Sequence, residues 1–152
     1  MKKILIINGP NLNLLGKREP GIYGRKSFED YLPELRAKFP DSTIDYYQTN
    51  HEGSIIDKLQ EADAKYDGVV LNPAAYTHTS IAIADCISAI DIPVVEVHIS
   101  DISKREKFRQ VSYVSPVAVH VIKGLGLAGY DKAVSYLLLS STRFLTINHK
   151  LL

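Results

Sequence analysis

Residues 68–75 read Gly68-Val69-Val70-Leu71-Asn72-Pro73-Ala74-Ala75, an apolar run without alternation that is broken at once by an amide and a proline. A strand with one wet face alternates apolar and polar side chains, whereas a strand covered on both faces does not. A second run of this kind, Val94-Val95, continues through Glu96-Val97-His98-Ile99-Ser100. Together they point to a parallel sheet with helices on both faces, because parallel strands need crossover connections that lie across the sheet.

Outward from these two runs, β-rich stretches alternate with helical patterns along the chain. Ile4–Ile7 precedes a helix expected at Phe28–Phe39, Thr43–Tyr47 one at Ser54–Lys65, and Gly68–Leu71 one at Ser80–Ile90. Val94–Ile99 leads to a short charged helix near Lys104–Phe108, and Val117–Ile122 to an apolar helix across Tyr130–Leu139. Five such strands predict a flavodoxin-like, doubly wound α/β fold, with ligands beyond the carboxyl ends of the strands. The 152 residues are expected to form one domain that buries about two thirds of its unfolded surface. Residues 140–152 read as a surface tail or an oligomer contact.

Composition excludes several classes of function. A hydrophobic share of 45% with 23% charged residues is that of a soluble globular protein, and a net charge of +1 gives no argument for nucleic acid or an anionic membrane. No stretch approaches the roughly 20 apolar residues of a membrane span, and the apolar run in MKKILIINGPN is too short for a signal sequence. The single cysteine, Cys86, falls in an apolar helical pattern and reads as a small core residue, which fits a reducing, cytoplasmic setting.

Polar residues gather at the strand ends: Asn8-Gly9-Pro10-Asn11, Asn72-Pro73-Ala74-Ala75, and Glu96 with His98. Residues two apart on a strand share a face, so Glu96 and His98 form either a satisfied buried pair or a carboxylate that orients an imidazole for general acid work. His78 to Asp85 is expected to open a helix, with Thr77 and Thr79 available as caps, putting both residues on one face about 10 Å apart. By that spacing His78 can touch a ligand, while Asp85 meets a neighbouring chain or simply solvent. Arg105 and Arg109, four apart, read as one helical face, either a solvated run or an anion clamp.

Other chemistries lack support. Gly124-Leu125-Gly126-Leu127-Ala128-Gly129 imitates a dinucleotide fingerprint but sits in the last βα unit, where close helix–strand packing explains the glycines better. His51, His78, His98, His120 and His149 are scattered without zinc-ligand spacing, and there is no nucleophile elbow. Asn8-Gly9-Pro10 stands where a phosphoacceptor domain needs acidic metal ligands. A flavin carrier has only the fold in its favour.

The loop after the first strand, NGPNLNLLGKREPGIYG over residues 8–24, reads as a hinged lid carrying Arg18 and Tyr23. A cation held near a phenol favours the phenolate, and lowering a pKa near 10 by about 2–3 units needs roughly 3–4 kcal/mol. Tyr23 as base opposite His98 as acid points to proton abstraction beside a carbonyl, followed by loss of a leaving group.

That loop, with QTNHEG, LNPAAYTHTS, VVEVHIS and REKFRQVSYVSP, closely resembles the type II 3-dehydroquinate dehydratase family, the match running from Lys3 to about Leu139. The resemblance implies a cofactor-free hydro-lyase of the shikimate pathway that dehydrates 3-dehydroquinate to 3-dehydroshikimate by anti elimination through an enolate. It further implies a homo-oligomer, a dodecamer of trimers. By motif position, Tyr23 is the proton acceptor, Arg18 its stabilising cation, and Asn11 the residue that holds a water against the enolate oxygen. His98 is the proton donor, oriented by Glu96. Asn72, His78, Ile99, Ser100 and Arg109 bind substrate, with Arg105 near the lid, and Asp85 reaches a neighbour's site. Ala74 departs from the glycine more usual in the family, and its methyl is expected either to crowd substrate or to shift a backbone amide, raising KM more than it lowers kcat.

Overall fold

The structure, a computed structural model, describes residues 1–17 and 19–140. Arg18, the side chain of Tyr23 and residues 141–152 lie outside the described residues, so two members of the expected lid chemistry and nearly all of the C-terminal extension are among those not described.

Five parallel strands form one sheet in the order β2-β1-β3-β4-β5. They are β1 (Lys3–Asn8), β2 (Thr43–Gln48), β3 (Gly68–Asn72), β4 (Val94–His98) and β5 (His120–Lys123). The helices are α1, a single turn (Pro20–Tyr23), α2 (Phe28–Lys38), α3 (Glu52–Lys65), α4 (Ile81–Ala89) and α5 (Ala128–Leu139). This is the doubly wound arrangement predicted from the apolar runs. Its cause is visible strand by strand: Ile4 and Ile6 of β1 join Val70, Val95 and Val97 in one core against α2 and α5, while Leu5, Ile7, Val69, Leu71 and Val94 join a second core against α3 and α4. Each face has its own partner, so no strand position needs to be polar. Cys86 belongs to the second core. Among the described residues, no helix is long and apolar enough to cross a membrane.

Side chains set three of the helix ends. The Ser27 hydroxyl accepts from the Asp30 N–H at 3.1 Å and starts α2; the Ser80 hydroxyl accepts from the Ile83 N–H at 2.9 Å and starts α4. The Lys2 ammonium donates to the carbonyl of Leu138 at 3.2 Å and closes α5.

Three expectations need correction. The charged segment after β4 is not an α-helix but two 3-10 turns, Ile102–Lys104 and Lys107–Arg109, so Arg105 and Arg109 share no helical face. Phe108 in that segment is exposed, and with no apolar stripe to bury, a full helix has nothing to hold it. His78 lies in a separate 3-10 turn, Ala74–His78, before α4 begins, and Ser80 rather than Thr77 or Thr79 is the cap. The helical spacing assumed between His78 and Asp85 therefore does not hold. The glycine motif serves backbone conformation more than packing: Gly124 and Gly126 have φ of +80° and +60°, and only Gly129 lies against strand side chains, Ile122 and Val97.

Candidate active site

The carboxyl ends of β1, β3 and β4 meet at a recess of about 190 Å³. Asn11, Asn72, His78, His98, Ile99, Ser100, Arg105 and Arg109 all line it. Eight of the residues singled out in the sequence thus share one cavity, although they come from four separate motifs. A wider groove of about 660 Å³ between β5 and α5 contains His120 but no carboxylate to orient it.

Each rim has a local cause. At the end of β1 the Gly9 N–H donates to the Asn72 carbonyl at 2.8 Å, and a side chain at Gly9 would meet the Pro73 carbonyl oxygen at 2.7 Å. Glycine lets β1 and the turn after β3 close to this distance. Asn11 then takes a left-handed conformation, φ 69°, with its N–H donating to Asn50 Oδ1 at 3.0 Å. After β3, the Ala74 N–H donates to Asn72 Oδ1 at 3.1 Å, and Ala74 has φ 52°. This left-handed backbone strains an alanine whether or not its methyl also crowds the recess, and a glycine would adopt it freely.

On β4, Glu96 and His98 are both buried, and Nε2 of His98 lies 2.6 Å from Oε1 of Glu96. The same oxygen accepts from the Thr77 hydroxyl at 2.6 Å and the Ser112 hydroxyl at 2.7 Å, while Oε2 accepts from the Ser115 hydroxyl. Burial works against the charged carboxylate, but the hydrogen bond and charge of His98, with the Ser115 and Thr77 hydroxyls, outweigh it and hold the pKa down at about 2. Glu96 is therefore ionised at neutral pH, and a carboxylate can only accept, so Nε2 of His98 carries a proton. Thr77, Ser112 and Ser115 were not singled out for this role. The signal available was their presence in two of the quoted motifs, but each lies 16 or 19 residues from Glu96 along the chain.

The basic side of the recess carries its own counter-charge. Nε of Arg109 lies 3.1 Å from Oε2 of Glu106 yet is buried without an aligned hydrogen-bond acceptor, and Nε of Arg105 is 3.8 Å from the same carboxylate oxygen. Nδ1 of His78 is 2.6 Å from the Val111 carbonyl, which sets it as a donor there. Asp85 is exposed on α4 and does not line this chain's recess. Among the described residues, no three His, Cys, Asp or Glu side chains converge in a metal-binding group.

Comparison with known proteins follows the same lines. The family model described as Dehydroquinase class II matches residues 2–138. A 3-dehydroquinate dehydratase of Clostridium botulinum is 51% identical over 140 residues, covering 91% of this chain and 95% of the relative. That of Bacillus pumilus is 50% identical over 139 residues, covering 90% and 95%. The crystal structure of a type II dehydroquinase from Butyrivibrio crossotus superposes with a TM-score of 0.87 at 47% identity, over 90% of this chain and 97% of the other.

Proposed function

The chain belongs to the class II dehydroquinase family, and on that premise we propose that the recess at the ends of β1, β3 and β4 is where 3-dehydroquinate loses water to give 3-dehydroshikimate. The reaction is a hydro-lyase step of the shikimate pathway. The observation that carries the assignment of roles is the buried Glu96–His98 pair, whose histidine lines the recess.

Tyr23, as phenolate, takes the proton from C2, and the electron pair of that C–H bond passes into the enolate of the C3 carbonyl. Arg18 holds the phenolate and the developing charge, and Asn11 orients a water against the enolate oxygen. The C1–O bond then breaks on the opposite face; the hydroxyl takes a proton from His98 and departs as water, leaving the C1–C2 double bond conjugated with the carbonyl. Because Nε2–H is committed to Glu96, the proton transferred leaves from Nδ1, and the ring must be doubly protonated beforehand. Ionised Glu96, 2.6 Å from Nε2, holds the ring in place for that transfer. The unaligned Nε–H of Arg109 and the Ser100 hydroxyl suit the substrate carboxylate, with Asn72, His78 and Ile99 holding the ring and Arg105 serving near the lid.

The active form is an oligomer, a dodecamer of trimers, in which Asp85 completes a neighbour's site. Supporting this, Asp85 stands clear of its own recess one helical turn from Ile81, an apolar side chain that is 59% exposed, and Phe108, Val111 and Tyr113 are further exposed apolar groups on the segment bonded to the Ala74–His78 turn. The buried free thiol of Cys86 suits a cytoplasmic location.

Adding 3-dehydroquinate and following the ultraviolet absorbance of the conjugated enone tests the activity. Turnover is expected; its absence from assembled protein would refute the reading. Tyr23→Phe is expected to lower kcat by roughly 10²–10⁴-fold with KM little changed, and near-normal turnover would exclude Tyr23 as the base.

A further inference from the structure

Below the recess, on the α2 and α5 side of the sheet, buried polar groups reach Asn72 from behind. Asn8 and Asn72 are partners in the β1–β3 ladder, and both are buried. Tyr130 of α5 is fully buried, its hydroxyl donating to Oδ1 of Asn8 at 2.8 Å and accepting from Nδ2 of Asn72 at 2.9 Å. Burial pushes this phenol well above its usual range, so it keeps its proton. With that one proton committed to Asn8, the oxygen can only receive from Asn72. Oδ1 of the same carboxamide is held by the Ala74 N–H. The two ends of an asparagine amide are nearly the same size, so packing alone does not decide which way it faces. A donor at one end and an acceptor at the other do decide it. The Tyr130 ring is fixed in turn, edge-on to Phe28 with centroids 4.9 Å apart.

We propose that Tyr130 is a positioning residue, whose buried hydroxyl sets the orientation of the Asn72 carboxamide and so determines which of its groups meets the substrate in the recess. This rests on the reading of Asn72 as a substrate binder given above. The two anchors leave one N–H and one carbonyl lone pair of Asn72 for that contact. Tyr130 itself lies on the far side of Asn72, in the core between α2, α5 and the sheet.

A double-mutant cycle separates this role from a merely structural one. Tyr130→Phe is expected to raise KM for 3-dehydroquinate roughly 3- to 10-fold while kcat changes by less than about 2-fold, the effect of one misdirected neutral hydrogen bond. Asn72→Ala should raise KM at least as much, and adding Tyr130→Phe to it should leave KM unchanged within about 2-fold. Equal effects of Tyr130→Phe in both backgrounds, or none in the native one, would overturn the inference. If Asn72→Ala leaves KM unchanged, it is the substrate-binding reading that fails instead. Phe28→Leu is the control: it loosens the core against the Tyr130 ring while leaving the hydrogen bonds of its hydroxyl to Asn8 and Asn72 in place. It should lower stability or leave it unchanged without moving KM, whereas a general loosening of the core would move KM in both variants. Should Tyr130→Phe alone fold poorly, the Asn8→Leu/Tyr130→Phe pair removes the orphaned Asn8 amide and carries the same expected rise in KM.

Discussion

Glu96 was readable as half of a pair because Glu and His two apart on a strand must share a face, but the hydroxyls that keep it ionised come from distant turns. Its depressed pKa has a consequence for stability. A carboxyl held near 2 in the fold, against an ordinary value of about 4.3, stabilises the native state fully above the higher value and loses that contribution as pH falls toward the lower one. Urea unfolding is expected to show native protein more stable than Glu96→Gln at pH 7, by on the order of 3 kcal/mol at most. The gap should narrow between about pH 4 and 2, and a constant gap would mean that the fold does not hold Glu96 ionised. Ala74 carries a different strain. With φ 52°, replacing it by glycine relieves left-handed backbone costing about 1 kcal/mol but adds unfolded-chain entropy of about 0.4–1 kcal/mol. Ala74→Gly is thus expected to leave stability within about 1 kcal/mol while lowering KM, whereas a raised KM would show that the methyl helps to shape the recess.

At the scale of the element, strands and helices that bury a face were legible and those that do not were not. Ile4–Ile7 and Val69–Leu71 cannot be satisfied without cover on both sides, and the structure supplies it. The segment from Ile102 to Arg109 has the charge spacing of a helix but no buried stripe, and forms turns. β5 starts at His120 rather than Val117 because the Val114 carbonyl takes the N–H groups of Val117 and Ala118 into a turn first. α4 depends on its cap: Ser80→Ala is expected to cost about 1 kcal/mol in denaturant unfolding, measured against Thr79→Ala, which should cost less since no capping bond is made there. Equal losses would deny Ser80 its capping role.

For the whole molecule, the expected partner contacts lie where α4 and the turn after β4 leave apolar groups exposed. Ile81→Asp is expected to shift the native mass, by light scattering, toward small species and to reduce turnover with it, since Asp85 would no longer reach a neighbour. A fully active monomer would deny that role. The proposed assembly rests on family resemblance, because a single chain's composition carries no signal for which face is shared. The strand order has one more effect, on how the chain reaches this state. Lys3 pairs with Thr43 and Ile4 with Gly68, so β1 is an interior strand whose two neighbours emerge much later in synthesis. Every ladder requires closure of a long loop, and no hairpin can form first to shorten the search. On the ribosome, the Ile4–Ile7 stretch waits for two later strands with its backbone groups unpaired. Lower growth temperature, which weakens apolar association of the waiting segment, should therefore favour soluble yield over aggregation.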